Sequence, residues 1–193
     1  MGLSSQTQSD GSIERLKARI VAKGYSQRPG LDYNESFAPT FGPATLRIIM
    51  AMAAVEDLEL RSVDITSVFT NGDLDEEIYM KQPEGFHIGG PNKVYRLRRS
   101  LYGLKQSARQ WNKKLHSVLT ELGFKRIESD RSVYLYSNGE VRIIVPIYID
   151  DITLASKSPA AIDKYVQLLS QHFKCRDLGA TCFLLGIVRI DHV

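Results

Sequence analysis

The sequence predicts an α+β fold in which an antiparallel sheet is backed on one face by helices. Three observations predict it. Val141 to Ser156, VRIIVPIYIDDITLAS, is apolar on both sides of two adjacent carboxylates, so two strands meet at a turn formed by Tyr148-Ile149-Asp150-Asp151. Just upstream, Asn138-Gly139 is a strong hairpin signal that adds a further antiparallel strand from Ser132 to Tyr136. Two stretches at helical spacing, from about Ala44 to Glu56 and from Ser158 to about Phe173, supply the backing. The aspartates belong at the hairpin tip, because an ionised carboxylate in a buried strand costs several kcal/mol unless it is paired, hydrogen-bonded or bound to a cation. Asp-Asp is also ordinary turn chemistry, and the tetrapeptide alone does not choose between these readings.

The remaining elements follow in order. Residues 1–12 are polar and Gly/Ser-rich and read as a disordered leader. Ile13 to Tyr25 alternates bases with apolar residues, a strand with one cationic edge broken at Gly24. Arg28-Pro29-Gly30 is a turn, and Pro39 and Pro43 restrict the chain before the first helix, whose Leu46, Ile49, Met50, Ala53 and Ala54 keep helical spacing. Leu58, Leu60 and Val63 form a short strand with Asp64 near its carboxyl end. Asp73 to Glu77 lacks the glycine and distal glutamate of a calcium loop and reads as a solvated turn. Strands from Ile78 to Gln82 and Val94 to Leu97 follow, and Gly103 opens a long helix reaching about Leu122. Its buried face is Trp111, Leu115, Val118 and Leu119, and Gly123 stops it. Ser158-Pro159 caps the last helix, with Ile162, Tyr165, Val166 and Leu169 inward, and Cys182 to Ile190 reads as a closing strand over the sheet.

Composition bounds the function. With 193 residues and 43% hydrophobic content, one cored domain or a large and a small lobe is expected. No apolar run is long enough for a membrane span, no signal segment opens the chain, and Gln6 stands where a myristoylation signal wants a hydroxyl. Cys175 and Cys182 fit reduced thiols in an intracellular protein. The net charge of +3 hides segregation: Lys93 to Lys114 carries eight bases and no acid, whereas Glu56 to Glu84 carries nine acids against two bases. Either block could be a solvated face; together they suggest a polyanion track beside an acidic pocket. Asp64, Asp150 and Asp151 on neighbouring strand ends form an all-oxygen donor set suited to magnesium shared with a substrate's phosphates, while cysteine and histidine show no zinc spacing.

Tyr148-Ile149-Asp150-Asp151 resembles the YxDD box of reverse transcriptases, and Asp64 resembles their first catalytic aspartate. KARIVAKGYSQRPGLDYNESFAPT (Lys17 to Thr40), NGDLDEEIYMKQPEGF (Asn71 to Phe86) and SLYGLKQSARQW (Ser100 to Trp111) resemble copia-type LTR-retrotransposon polymerases, in matching order over about residues 13 to 190. The resemblance implies a right-hand polymerase palm over about 44–193 with a partial fingers hairpin over about 13–43, together one domain over 13–193. It implies RNA-directed DNA polymerase activity by two-metal nucleotidyl transfer, with two Mg2+ ions, or Mn2+ in their stead, on Asp64, Asp150, Asp151 and the Ile65 backbone. Arg19, Lys17, Phe69, Val68, Tyr102 and Gly103 match positions around the incoming nucleotide, Phe69 as the gate that rejects a 2′-hydroxyl. Lys105, Gln106, Arg109 and Tyr148 match positions that face nucleic acid.

The implied partners are an RNA or DNA template with primer, deoxynucleoside triphosphates and other parts of a Pol polyprotein, with no membrane. The implied setting is intracellular: cytoplasmic virus-like particles and the nucleus. One departure is Val68, where the family usually has alanine; two extra methyl groups in a tight pocket cost about 1–3 kcal/mol. A thumb, an RNase H domain, a protease and an integrase do not fit in this length. Two alternatives therefore stay open: a truncated, non-catalytic nucleic-acid-binding remnant, and a protein-interaction module.

Overall fold

A computed structural model describes residues 2–7, 13–90 and 92–188. In chain order its strands are β1 (Gly2–Thr7), β2 (Ile13–Arg19), β3 (Glu59–Ile65), β4 (Asp73–Lys81), β5 (Val94–Arg99), β6 (Lys125–Arg126), β7 (Val133–Asn138), β8 (Val141–Tyr148), β9 (Asp151–Ser156), β10 (Cys175–Ala180), β11 (Phe183–Leu184) and β12 (Ile187–Val188). The helices are α1 (Pro43–Glu56), α2 (Ser107–Glu121) and α3 (Pro159–His172). The chain divides into two compact units, Met1–Phe37 with Phe69–Trp111, and Ala38–Val68 with Asn112–Val193. Residues 69–111, read from sequence as palm, thus cluster with the amino-terminal residues.

The second unit is built on a six-stranded antiparallel sheet in the order β10-β3-β9-β8-β7-β6. β7 and β8 pair from Asn138 opposite Val141, the hairpin that Asn138-Gly139 predicts, with Gly139 at φ 59°. Side chains alternate between the two faces of a strand. One face presents Leu60, Ala155, Ile144 and Val133, on which α1 packs Leu46, Ile49 and Ala53. On the other, α3 buries Ile162, Tyr165, Val166 and Leu169. There Arg61 Nη1 of β3 reaches Asp163 of α3 at 2.6 Å and Asp177 of β10 at 3.2 Å. The helices therefore lie on both faces rather than one. α1 is apolar over most of its surface, so nothing in its own pattern announces which sheet face it covers.

Local signals account for the helix ends. Ser158 Oγ accepts from Ala161 N at 3.2 Å, with Pro159 in the first turn of α3. α1 ends on Asp57 in the left-handed region. The closing strand expected over 182–190 is instead the small β11–β12 hairpin, broken by Leu185 and Gly186 at φ 46° and 89°; residues 189–190 lie outside the described ones. The sheet edge is taken by β10.

The first unit holds two hairpins, β1–β2 and β4–β5. Gly2–Thr7 is a strand rather than part of a disordered leader, because β2 offers it a full antiparallel partner; residues 8–12 lie outside the described ones. Asp73–Glu77 is likewise strand rather than turn. Its acids pair with bases of the neighbouring strand: Asp73 with Arg99 directly opposite at 3.1 Å, and Glu77 diagonally with Arg96 at 3.0 Å. Two of the eight bases and two of the nine acids in the segregated blocks are therefore matched to each other across these strands. Ala22, Ile78 and Leu104 form a small core with Leu74, Met80, Leu97 and Leu101.

Candidate active site

The register of the central sheet brings the sequence-predicted acids together. Asp64 lies directly opposite Asp151 across the β3–β9 ladder, and Asp151 opposite Tyr148 across β8–β9. Residues opposite each other in an antiparallel pair share a face. Tyr148, Asp151 and Asp64 therefore form one row, and the β10 pairing extends it to Arg176. The row lies four residues along β3 from Leu60, on the face that α1 covers at its other end. Asp150 and Ile149 are the two turn residues between β8 and β9.

The turn is tight at a cost. Ile149 has φ 58°, a left-handed conformation that costs a side chain about 1–2 kcal/mol and is unusual for a β-branched one. The surrounding packing holds it: Tyr148 is partly buried edge-on against Phe41, centroids 5.5 Å apart at 61°, within the core under α1. Tyr148, expected to face nucleic acid, thus gives one ring surface to the core.

Asp64, Asp150 and Asp151 are solvent-exposed and make no salt bridge among the described residues. Partial burial of its carboxyl raises the Asp151 pKa above the usual carboxylate value, and the charges of Asp150 and Asp64 raise it further. The three acids thus oppose one another's ionisation at Asp151. The donor set and its charge fit hard divalent cations. The side chains do not converge, however: among the described residues no three His, Cys, Asp or Glu groups are arranged to hold an ion. Ile65, expected to lend its backbone to the metal, ends β3 with a buried side chain and Cys175 as its partner on β10.

In the first unit, four of the residues matched to the nucleotide site meet. The Arg19 guanidinium lies 5.6 Å above the Tyr102 ring, and Phe69 packs edge-on against the same ring with centroids 4.8 Å apart. Gly103 follows at φ 91°, where a Cβ would come within 2.2 Å of Ala22 O; glycine here permits contact with the protein's own backbone. Ala22 N donates to Tyr102 O at 2.7 Å, fixing that approach. Lys17 is in β2 opposite Ser4, and its side chain lies outside the described ones.

Two expected contacts are corrected. Gln106 is fully buried rather than facing nucleic acid; its Nε2 donates to Asp32 O at 3.0 Å and Glu76 Oε2 at 3.2 Å, and its Oε1 accepts from Gln27 Nε2 at 3.1 Å. A buried amide needs its partners within the protein, and here they are supplied. Val68, matched to the nucleotide site, is 1% exposed, so its side chain is buried rather than presented to solvent. Arg109 is partly exposed and pairs with Glu35 at 2.5 Å, whereas the Lys105 side chain is exposed and its backbone N donates to Gln27 Oε1 at 2.7 Å. The sequence reading did not single out Gln27, whose two side-chain bonds organise this segment, nor Arg176, whose place beside Asp64 follows only from strand register.

A reverse transcriptase (RNA-dependent DNA polymerase) family profile matches residues 5–192. The chain belongs to that family. It is 39% identical over 180 residues to the retrovirus-related Pol polyprotein from transposon RE1 of Arabidopsis thaliana, and 40% identical over 180 residues to that from transposon TNT 1-94 of Nicotiana tabacum. These alignments take in 93% and 92% of the chain but 12% and 14% of the relatives, so this reverse transcriptase domain spans a small part of their length. A putative transposon Ty5-1 protein of Saccharomyces cerevisiae is 35% identical over 126 residues, 65% of the chain and 41% of that protein. No solved structure matches. The copia-type resemblance read from the quoted motifs is thereby borne out.

Proposed function

We propose that this domain carries out RNA-directed DNA synthesis, joining deoxynucleotides to a primer 3′-hydroxyl on an RNA or DNA template, with Asp64, Asp150 and Asp151 as its catalytic carboxylates. The observation that carries this reading is the direct pairing of Asp64 with Asp151, Asp150 adjoining in the turn, with no salt bridge to any of the three among the described residues. Their donor chemistry suits two Mg2+ ions, or Mn2+, which when bound would acidify the primer hydroxyl and offset charge on the phosphates. Asp64 and Asp150 would hold them most directly, with Asp151 and the Ile65 backbone contributing less. Arg19 and Lys17 are assigned to the triphosphate, where a guanidinium can make bidentate contacts. Phe69, braced by Tyr102, is assigned to rejecting the 2′-hydroxyl; Lys105 and Arg109 are assigned to phosphates of the template and primer. On this reading the fold is a right-hand polymerase palm with partial fingers, working intracellularly in virus-like particles and the nucleus alongside other parts of a Pol polyprotein.

Primer extension by the purified chain on a short RNA template, with magnesium and deoxynucleotides, tests the reading. Asp150→Asn should abolish extension, a loss of at least about a hundredfold, and Asp151→Asn should cost less. Full activity in both variants would sink the assignment. Salt-dependent binding of a primer–template without extension by the wild type would favour the non-catalytic remnant.

A further inference from the structure

The turn after β2 carries an exposed aromatic side chain that the reading above leaves unused. Tyr25 is 79% exposed and makes no hydrogen bond or ring contact among the described residues. Exposure of this kind usually goes with a loose loop, but here the backbone beneath it is tied down. Gly24–Ser26 is a 3-10 turn in which Ser26 Oγ donates to Lys23 O at 2.7 Å and Gln27 N to Gly24 O at 3.2 Å. Gln27 anchors the turn to residues 105 and 106, accepting from Lys105 N and donating to Gln106 Oε1. Gly24 itself is so close to Gly103 O that a Cβ would lie 1.9 Å from it. The chain leading into the turn and the segment it is tied to expose apolar and cationic groups: Ile20 and Val21 are 47% and 42% exposed, and the side chains of Lys23, two residues before Tyr25, and Lys105, bonded through its N to Gln27, are exposed without an ion pair among the described residues.

A rigidly mounted aromatic face flanked by unpaired lysines is the recurrent way of holding single-stranded nucleic acid: the ring stacks on a base and the ammonium groups meet the phosphates. We infer that Tyr25 is a stacking platform for an unpaired nucleotide of the template strand, with Lys23 and Lys105 on its backbone. The inference rests on the nucleic-acid reading given above. Duplex bases are already stacked on each other and offer no free face, so the contact is specific for single strands, and it is indifferent to the 2′-hydroxyl.

The test is fluorescence anisotropy of the full chain with short labelled single strands, DNA and RNA, and a blunt duplex of the same sequence, at fixed salt without divalent cations or nucleotides. Tyr25→Ala should weaken single-strand binding about tenfold, while blunt-duplex binding and Tyr25→Phe both stay within about twofold of wild type. The exposed, contact-free site makes Tyr25→Ala neutral for folding, checked by its melting curve. Unchanged single-strand affinity in Tyr25→Ala, equal loss on the duplex, or equal loss in Tyr25→Phe would overturn the inference. So would wild-type failure to bind single strands, which would leave this face to a protein partner. Because binding is read without catalysis, absent extension with an intact Tyr25 effect would defeat the polymerase reading alone, and extension with unchanged Tyr25→Ala affinity would defeat the stacking role alone.

Discussion

The β4–β5 hairpin and the β3–β9 ladder are both crowded with charge, and they treat it in opposite ways. In the hairpin, Asp73 and Glu77 form ion pairs with Arg99 and Arg96 of the neighbouring strand. In the ladder, Asp64 faces Asp151, like against like, with Asp150 beside them; Arg176 lies opposite Asp64 on its other side but forms no salt bridge with it among the described residues. Opposite charges across a ladder stabilise by a few tenths of a kcal/mol, and like charges destabilise by a similar amount. The hairpin's charge is thus self-contained and structural. The ladder's charge is left open on a scaffold of buried strands that can afford it, which is where a ligand has something to neutralise.

The comparison can be broken hardest at the frame of the first unit. Gly103→Ala adds a Cβ 2.2 Å from Ala22 O at φ 91°, and should destabilise by at least about 3 kcal/mol, read as a lowered denaturant midpoint. The second unit has a counterpart in Asp130, whose carboxylate ties the first turn of α1 to the start of β7. Burial pushes its pKa up, but donors from Ser132, Thr45 and Gly42 outweigh this and hold it below the usual value. Asp130→Ala should cost about 1–2 kcal/mol. A depressed carboxyl stabilises above its unfolded pKa of about 3.9 and loses that contribution as pH falls through the lower folded value, so the variant's acid unfolding should begin from a flatter curve.

The carboxylate row should respond with the opposite sign. Asp151 has a raised pKa in the folded chain, so the fold binds its proton more tightly than the unfolded state does. Its favourable contribution is complete below about pH 3.9 and is lost as pH rises through the folded value. At neutral pH in a chelator, Asp151→Asn should therefore raise the unfolding midpoint, by about 0.5 kcal/mol after discounting for solvent screening, and magnesium should stabilise wild type more than the variant. The smallest effect belongs to the hairpin: Glu77→Gln should cost no more than about 0.3 kcal/mol and nothing in high salt, because both partners are more than half exposed. A larger cost there than the gain at Asp151 would erase the contrast between the two regions.

What was legible in the sequence was local. Asn138-Gly139, Ser158-Pro159 and the stripe Trp111, Leu115, Val118, Leu119 each specify their element through contacts within a few residues, and each element is present. The readings that failed all depended on a distant partner. Gly2–Thr7 is polar and becomes a strand only because β2 lies alongside. Asp73 to Glu77 looks like a turn until the neighbouring strand supplies Arg96 and Arg99 as ion-pair partners. Gln106 looks like a surface polar residue until Asp32, Glu76 and Gln27 enclose it. The three aspartates were legible because carboxylates interrupting apolar strands are costly anywhere. Arg176 was not, since an arginine on a short strand is unremarkable until the register sets it against Asp64.

The β3–β9 ladder has a kinetic consequence. Its partners Asp64 and Asp151 are 87 positions apart, so the pairing closes a long loop, and the whole segment Phe69–Trp111 is strung within that loop. Closure of such a loop is entropically late, and folds dominated by non-local antiparallel pairing reach the native state in milliseconds to seconds rather than microseconds. A nascent chain therefore carries Asp64 without Asp150 or Asp151 while residues 65–149 are made, and gains the trio only when β9 has emerged and paired. A chain stalled before Asp150 therefore holds one of the three acids and lacks the other two.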